Sequence, residues 1–393
     1  MTRNTTCPSC GSGGMTPFYS VGSVPVHSCI MFSTDAEARE FPRGNIEIGN
    51  CSECGFVWNM AFDPDVRDYS PLYEDQQCYS ETFNSFARSL AGRIIEKYGI
   101  RNKDIVEIGC GKGDFLAMMC EMGNNRGVGI DPSCDKGRIV GPAADRITVI
   151  QDYYSEKYSG YTGDLVMCRH TLEHIHDTRK FVETVRRGIG DRRQTVVFFE
   201  IPDVTIVLEN LVFWDIYYEH CSYFSPGSLG RLFRSCGFEV LDLYVDFDDQ
   251  YLMIEARPAD SAGTPPHRRE EGVGEMTKRV EHFAARVAEQ RSRWLRLVRE
   301  KHAAGDRPVI WGSGSKCVAF LTTLGIDEEI GCVVDINPRR HGKYITGCVK
   351  RIEPPAYLKE YRPRTIIAMN PIYKDEISAM AQSMGLNAEV IAV

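Results

Sequence analysis

Two cysteine pairs of the same form, Cys7-Pro-Ser-Cys10-Gly and Cys51-Ser-Glu-Cys54-Gly, lie forty residues apart near the start of the chain. A CxxC turn brings two thiolates to one side of a metal ion, and a glycine after the second suits the tight turn whose amides face sulfur. Four soft ligands fill a tetrahedral shell and leave no position for water. The spacing therefore predicts a structural zinc ion on Cys7, Cys10, Cys51 and Cys54. His27 and Cys29 lie between the pairs, but a filled shell does not need them. Redox chemistry, the other use of CxxC, lacks its strand-then-helix context here. Cys110, Cys120, Cys168, Cys236 and Cys332 sit in or beside apolar runs and read as small core residues.

A second chemical signal is Glu107-Ile-Gly-Cys-Gly-Lys-Gly113-Asp-Phe-Leu, which follows an apolar strand and opens a helix. Glycines at 109, 111 and 113 allow a backbone to pass close to a ligand. Asp131 ends the next strand, placed to accept hydrogen bonds from both hydroxyls of a ribose. Nicotinamide and flavin sites use similar loops. Here, however, Glu107 opens the motif and Asp114 stands at the helix start, where a pyrophosphate would meet two carboxylates. Asp152, after the strand ITVIQ, adds a third acid where an adenine amino group could be read. A cationic, phosphate-free nucleoside fits that lining, and S-adenosylmethionine is such a ligand.

The third signal is Ile216-Tyr-Tyr-Glu-His220-Cys-Ser-Tyr-Phe-Ser225-Pro, with two tyrosines, a glutamate and a histidine in succession. Alone, such a cluster is more often core or cap material, and Ser225-Pro226 reads as an N-cap followed by proline at the first helical position. Beside a methyl-donor loop it gains meaning. Methyl transfer to carbon needs a carbanion equivalent, hence a base near a C–H acidified by a carbonyl, and histidine suits that role near neutral pH. Glutamate can fix its tautomer or polarise a substrate hydroxyl, and tyrosine can donate to an enolate oxygen.

These groups need elements to hold them. The segment TFNSFARSLAGRIIEKY puts Phe83, Phe86, Leu90, Ile94 and Ile95 on one helical face. After it, short β-rich runs alternate with helical ones from DIVEIGCG to TVVFFEIP, which predicts a mostly parallel sheet with helices on both faces. Residues 258–274 are rich in proline, glycine and charge and read as a linker. A helix follows with an apolar stripe, Met276, Val280, Phe283, Val287, Trp294 and Val298, read as a packing face between domains. Then a second α/β unit begins. Gly312-Ser-Gly314-Ser-Lys316 follows a strand, Asp335 ends the next, and Lys316 at a helix start is placed to meet a phosphate. A degenerate duplicate that only covers the site is the alternative. Arg339, Arg340, His341 and Lys343 read as a solvated basic cluster.

The 393 residues, with 43% hydrophobic and 25% charged, exceed one ordinary core and exclude a disordered chain. A net charge of −8 argues against nucleic acid or an anionic membrane as partner. No apolar run is long enough to span a bilayer, and fifteen cysteines, an odd number without an apolar leader, read as reduced thiols in a cytoplasmic protein. The expected division is a zinc-binding module at 1–72, a cofactor-binding core at 73–258, a linker and helix at 259–304, and an α/β domain at 305–393.

EIGCGKGDFL and GVGIDPS resemble the first and ribose motifs of class I S-adenosylmethionine-dependent methyltransferases, which implies cofactor contacts at Phe115 and Pro132 as well as Glu107, the three glycines, Asp131 and Asp152. DLVMCRHTLEHIHD is similar to their fourth strand and following turn, which implies Arg169 and His170 near the cofactor. Taken with CPSC, CSEC, YYEHCSYFS, GSGSK and VVDINPRRHGKYITG, the whole chain resembles the C-methyltransferases that act on nucleotide-linked keto-deoxysugars in natural-product biosynthesis. The resemblance implies a class I, Rossmann-like core between a zinc module and a smaller Rossmann-like C-terminal domain that helps hold the substrate's nucleotide. It implies Tyr217, Glu219 and His220 as catalytic residues, with either His220 or Tyr217 as the base, and His174 as a further active-site group. A tyrosine upstream of the core is expected at the substrate, either Tyr79 or Tyr73. The expected enzyme is a monomer or homodimer acting through an enolate; an O- or N-methyltransferase on a small metabolite is the alternative.

Overall fold

The computed structural model describes residues 5–66, 69, 72–259, 264–348 and 350–393. Residues 260–263 of the expected linker lie outside them. The N-terminal part comprises β1 (Met15–Pro25), α1 (Asp35–Glu40), β2 (Arg43–Cys51) and β3 (Val57–Asn59). The strands pair antiparallel in succession. The second CxxC turn joins β2 to β3: Gly55, at φ +72°, donates its N–H to the Cys51 carbonyl, as Gly11, at φ +80°, does to Cys7 in the first.

The middle of the chain runs through α2 (Glu81–Tyr98), β4 (Asp104–Ile108), α3 (Asp114–Gly123), β5 (Arg126–Ile130), β6 (Ile147–Ile150), β7 (Leu165–Arg169), α4 (Thr178–Ile189), β8 (Val196–Pro202), α5 (Val204–Glu209), β9 (Ser222–Tyr223), α6 (Pro226–Ser235), β10 (Phe238–Asp246) and β11 (Tyr251–Pro258). Ser80 caps α2 and Gly99 ends it in the left-handed conformation. Leu90, Ile94 and Ile95 of the expected stripe are buried, while Phe83 and Phe86 pack edge-on or tilted against Phe247. Strand order is β10-β11-β8-β7-β4-β5-β6. The pairs from β8 to β6 are parallel, and β11 runs antiparallel to both its neighbours. This antiparallel hairpin at one edge is an addition to the parallel sheet expected from the sequence. β9 leaves the core and pairs with β3, so the N-terminal sheet borrows a strand from the middle of the chain.

The remainder consists of α7 (Val273–Ala303), β12 (Val309–Trp311), α8 (Ser315–Leu324), β13 (Cys332–Val334), β14 (Ile352–Glu353), α9 (Leu358–Tyr361), β15 (Thr365–Ala368), α10 (Lys374–Ser383) and β16 (Glu389–Ala392). Its sheet is wholly parallel in the order β14-β13-β12-β15-β16. All six apolar residues of the α7 stripe are buried. Phe283 meets Phe18 and Tyr19 of β1, and Trp294 meets Trp214 and Phe320. One helix thus packs against all three parts, and each buried aromatic such as Phe283 contributes about 2 kcal/mol by leaving water. No helix of the described residues is long and apolar enough to cross a membrane.

Candidate active site

In the parallel part of both sheets the strand order reverses beside the first strand, between β4 and β7 and between β12 and β15. Crevices at such switch points collect ligands because the loops on either side diverge. A cavity of about 230 Å³ lies over β4, and one of about 290 Å³ lies between core and C-terminal unit. The two share Tyr73, Asp75, Gln76, Gln77, His170 and His174 as walls, so they adjoin.

The smaller cavity is lined by Glu107, Gly109, Gly111, Phe115, Asp131, Pro132, Arg169 and His170. Burial raises the Glu107 carboxyl to about 8 against the pull of Arg169, and its Oε2 has no hydrogen-bond partner. The Asp131 carboxylate accepts from the Gly111 N–H at 2.9 Å and from Ser133 N–H at 2.6 Å. Arg169 lies over the Phe115 ring at 3.8 Å and pairs with buried Glu200. His170 is held at φ +47°, its ring 3.1 Å from Glu200; burial opposes its charge, but Glu200 and Glu173 carry it up to about 9.

Two expected cofactor residues fall outside this wall. Gly113 caps α3 at φ +85°, and a side chain there would strike Ile139. Gly109 does line the cavity, but a Cβ on it would strike Thr171, so packing as well as ligand approach demands glycine. Asp152 is the clearer departure. It turns outward to Lys157 and Tyr158, and the cavity is lined instead by the next residues, Tyr153 and Tyr154. A half-buried carboxylate with a lysine and a tyrosine close by in sequence finds its partners locally.

Where the cavities meet, the loop after β7 is tied to the approach to β9: Ser222 Oγ donates to the Ile175 carbonyl at 2.6 Å. This brings His174 edge-on to His220, rings 4.7 Å apart. Tyr217 Oη lies 2.9 Å from His220 Nε2, and Tyr69 Oη lies 2.7 Å from His174 Nδ1. Burial holds the His220 imidazole well below its ordinary value, helped by the charges of His174, His170 and Lys316; burial likewise holds the Tyr217 phenol well above its own. A neutral imidazole beside a protonated phenol can accept a proton and donate one.

Glu219 is placed differently from the sequence expectation. Its Oε1 accepts from Ser28 N–H at 2.8 Å and lies 3.2 Å from His27 Nδ1, so it orients the N-terminal segment and does not line either cavity. Tyr73 and Tyr79 both line the larger cavity, but it is Tyr69, a few residues before them, that bonds His174. Its signal in the sequence is the four-residue spacing to Tyr73, a weak one.

In the C-terminal unit Lys316 lines the larger cavity, with Nζ 2.8 Å from Asp215 Oδ2 of the core. Its charge is therefore already partnered. The cation that sequence reasoning assigned to solvent, Arg340, is 4% exposed and lines the same cavity. It donates to Ser313 Oγ at 3.0 Å and to the Glu74 carbonyl, and faces Asp335. Asp335 accepts from Ser313 N–H at 2.8 Å, the counterpart of the Asp131–Gly111 bond.

The four N-terminal cysteines converge, with Cys7 Sγ 3.7 Å from Cys54 Sγ and Cys10 Sγ 3.6 Å from Cys51 Sγ. Thiolates about 2.3 Å from a tetrahedral zinc ion stand about 3.8 Å apart, so the donor set fits zinc. Arg231 Nε donates to the Cys54 carbonyl and Arg179 Nε to the Ser9 carbonyl, docking both turns on α6 and α4.

A doubly wound core with two adjoining cavities leaves room for a nucleoside cofactor beside a small-molecule substrate. Residues 83–243 match the family model of a methyltransferase domain, and residues 266–391 match that of a C-methyltransferase C-terminal domain. The chain is 26% identical over 368 residues to the C-methyltransferase NovU of Streptomyces niveus, covering 87% of this chain and 83% of that one. Among solved structures, the N,N-8-amino-8-demethyl-D-riboflavin dimethyltransferase RosA from Streptomyces davawensis is 17% identical over 45% of this chain, with a TM-score of 0.36. An O-methyltransferase family protein from Burkholderia thailandensis is 15% identical over 45%, also at 0.36. The chain spans 56% and 58% of the lengths of these two structures. Together the two domain matches and the curated relative make the chain an S-adenosylmethionine-dependent C-methyltransferase, with a small molecule as substrate.

Proposed function

We propose that the enzyme methylates a carbon next to a carbonyl on a nucleotide-linked deoxysugar, through an enolate. The observation that carries this reading is the neutral His220–Tyr217 pair at the wall of the larger cavity, beside His174, where the cofactor cavity opens into it. When bound, S-adenosylmethionine supplies an electrophilic methyl group on a positively charged sulfur. Glu107, Asp131, Arg169 and His170 would hold it over β4. His220 takes the proton α to the carbonyl, directly or through Tyr217. Histidine and tyrosine donors from Tyr217 and His174 then hold the oxyanion, and fixed geometry supplies much of the rate. Glu219 acts at a distance, through His27 and Ser28.

Arg340 and the Gly312–Ser315 turn support a nucleotide at the C-terminal unit, since the buried guanidinium suits an anion. Eleven cysteines outside the zinc set, none of them in a disulfide, suit a reducing compartment, and we assign the enzyme to the cytoplasm. Zinc on the four cysteines holds the N-terminal sheet against the core. The decisive experiment is deuterium exchange at the substrate α-carbon in the absence of cofactor. The wild type should exchange and His220→Ala should not; an unexchanged wild type, with methyl transfer intact, would remove the enolate from the scheme.

A further inference from the structure

Glu173, His174 and His220 each offer a ligand atom within 4.8 Å of the other two. Glu173 is 2% exposed, and neither carboxylate oxygen makes a hydrogen bond, although His170 Nδ1 stands 3.7 Å from Oε1. A buried carboxylate without hydrogen bonds is costly, and the charged His170 ring beside Oε1 offsets only part of that cost, leaving Oε2 open to a ligand. All three residues line the larger cavity, so an ion can reach them. One nitrogen of each imidazole is engaged by a tyrosine hydroxyl, Tyr69 on His174 and Tyr217 on His220. That is the arrangement by which outer-shell oxygens orient ligating histidines.

We propose that Glu173, His174 and His220 form a second metal site, distinct from the four cysteines, that takes a first-row divalent transition ion in competition with proton transfer. Two imidazoles and one carboxylate, with the remaining positions facing a cavity, suit Zn2+, Co2+ or Ni2+ and not Mg2+ or Ca2+. The consequence rests on the reading of His220 as the base: an ion on its imidazole occupies the electron pair that would take the substrate proton. The site therefore acts as a metal-operated brake on methyl transfer.

The test uses the full chain with zinc on its cysteines, titrated with Co2+. One equivalent of cobalt should bind beyond the zinc, with visible d–d absorption and no thiolate-to-cobalt charge-transfer band. Methyl transfer should fall as that band grows and return on brief treatment with a weak chelator. Glu173→Gln should weaken cobalt binding and its inhibition roughly tenfold or more; if that variant does not fold, His174→Gln removes a different ligand. No cobalt beyond zinc, a charge-transfer band marking displacement at cysteine, stimulation by the ion, or equal inhibition of the folded ligand variant would each overturn the proposal. His220→Ala assayed for exchange without added metal tests the base itself, so the two readings fail separately.

Discussion

The core and the C-terminal unit are two versions of one device. Each has a run of parallel strands that reverses beside its first strand, a glycine turn after that strand, and an aspartate ending the second strand that accepts an N–H from the turn. They differ in the charges set around it. Glu107, Asp114 and Asp131 face the first cavity, with Arg169 drawn off by Glu200. The second turn has Arg340 and Lys316 beside it, Arg340 facing Asp335 and Lys316 paired with Asp215 in a wall that carries carboxylates as well. The turns differ as well: Gly109, Gly111 and Gly113 all adopt positive φ, whereas in the second only Gly312 does and Gly314 is extended. Topology thus chooses where a ligand sits, and in the proposed reading the charges beside the turn choose its sign, a sulfonium for the first and an anion for the second.

The strongest way to break that comparison is to exchange losses between the two aspartates. Asp131→Ala should weaken S-adenosylmethionine by about 2–3 kcal/mol, on the order of a hundredfold, because charged hydrogen bonds to a ribose are lost with the turn they brace. Asp335→Ala should leave cofactor affinity within twofold and raise the substrate KM. Calorimetry for the first and steady-state kinetics for the second check this, and equal effects on both ligands would mean that the cavities do not discriminate.

A smaller effect is expected at Arg340. Arg340→Met keeps the packing of the stem and removes the guanidinium, so the KM of an anionic substrate should rise roughly tenfold while cofactor affinity holds. At the acidic turn the same logic becomes a pH dependence. Glu107, raised by burial to about 8, is largely protonated at pH 7 in the free protein. A bound cation favours the carboxylate, so binding should expel a proton, and affinity should improve as pH rises toward 8, by under tenfold. Calorimetry in buffers of different ionisation enthalpy reads the released proton directly. Glu107→Gln should abolish the release.

Much of this was legible in the sequence because the signals are local. The cysteine pairs, the glycine turn, the capping serine of α6 and the α7 stripe all depend on spacing within a few turns of chain. What escaped was set by contacts across hundreds of residues. Glu219 stands next to His220 in sequence yet serves His27, because β9 pairs with β3 and turns that carboxylate toward the N-terminal module. Tyr69 gains its place only when the segment before α2 folds over the loop after β7. Arg340 looked solvated among Arg339, His341 and Lys343, but Glu74, a residue of the core, lies over it and takes it out of water. Asp152 erred the other way, since Lys157 and Tyr158 lie close enough to claim it.

Lys316 sharpens the comparison with the smallest effect. Standing at the start of α8, it has the position of a phosphate ligand, but Asp215 and Gln250 hold its ammonium at 2.8 and 3.4 Å. A cation already neutralised adds little field at the cavity, so Lys316→Met should raise substrate KM only about threefold, well short of Arg340→Met. The variant also strands Asp215, which is mostly buried, and that costs stability. Asp215→Asn combined with Lys316→Met should recover part of the melting temperature without recovering KM if the lysine touches substrate at all. If the double variant recovers both, the pair serves only to join the core to the C-terminal unit, and anion binding there falls to Arg340 and the glycine turn.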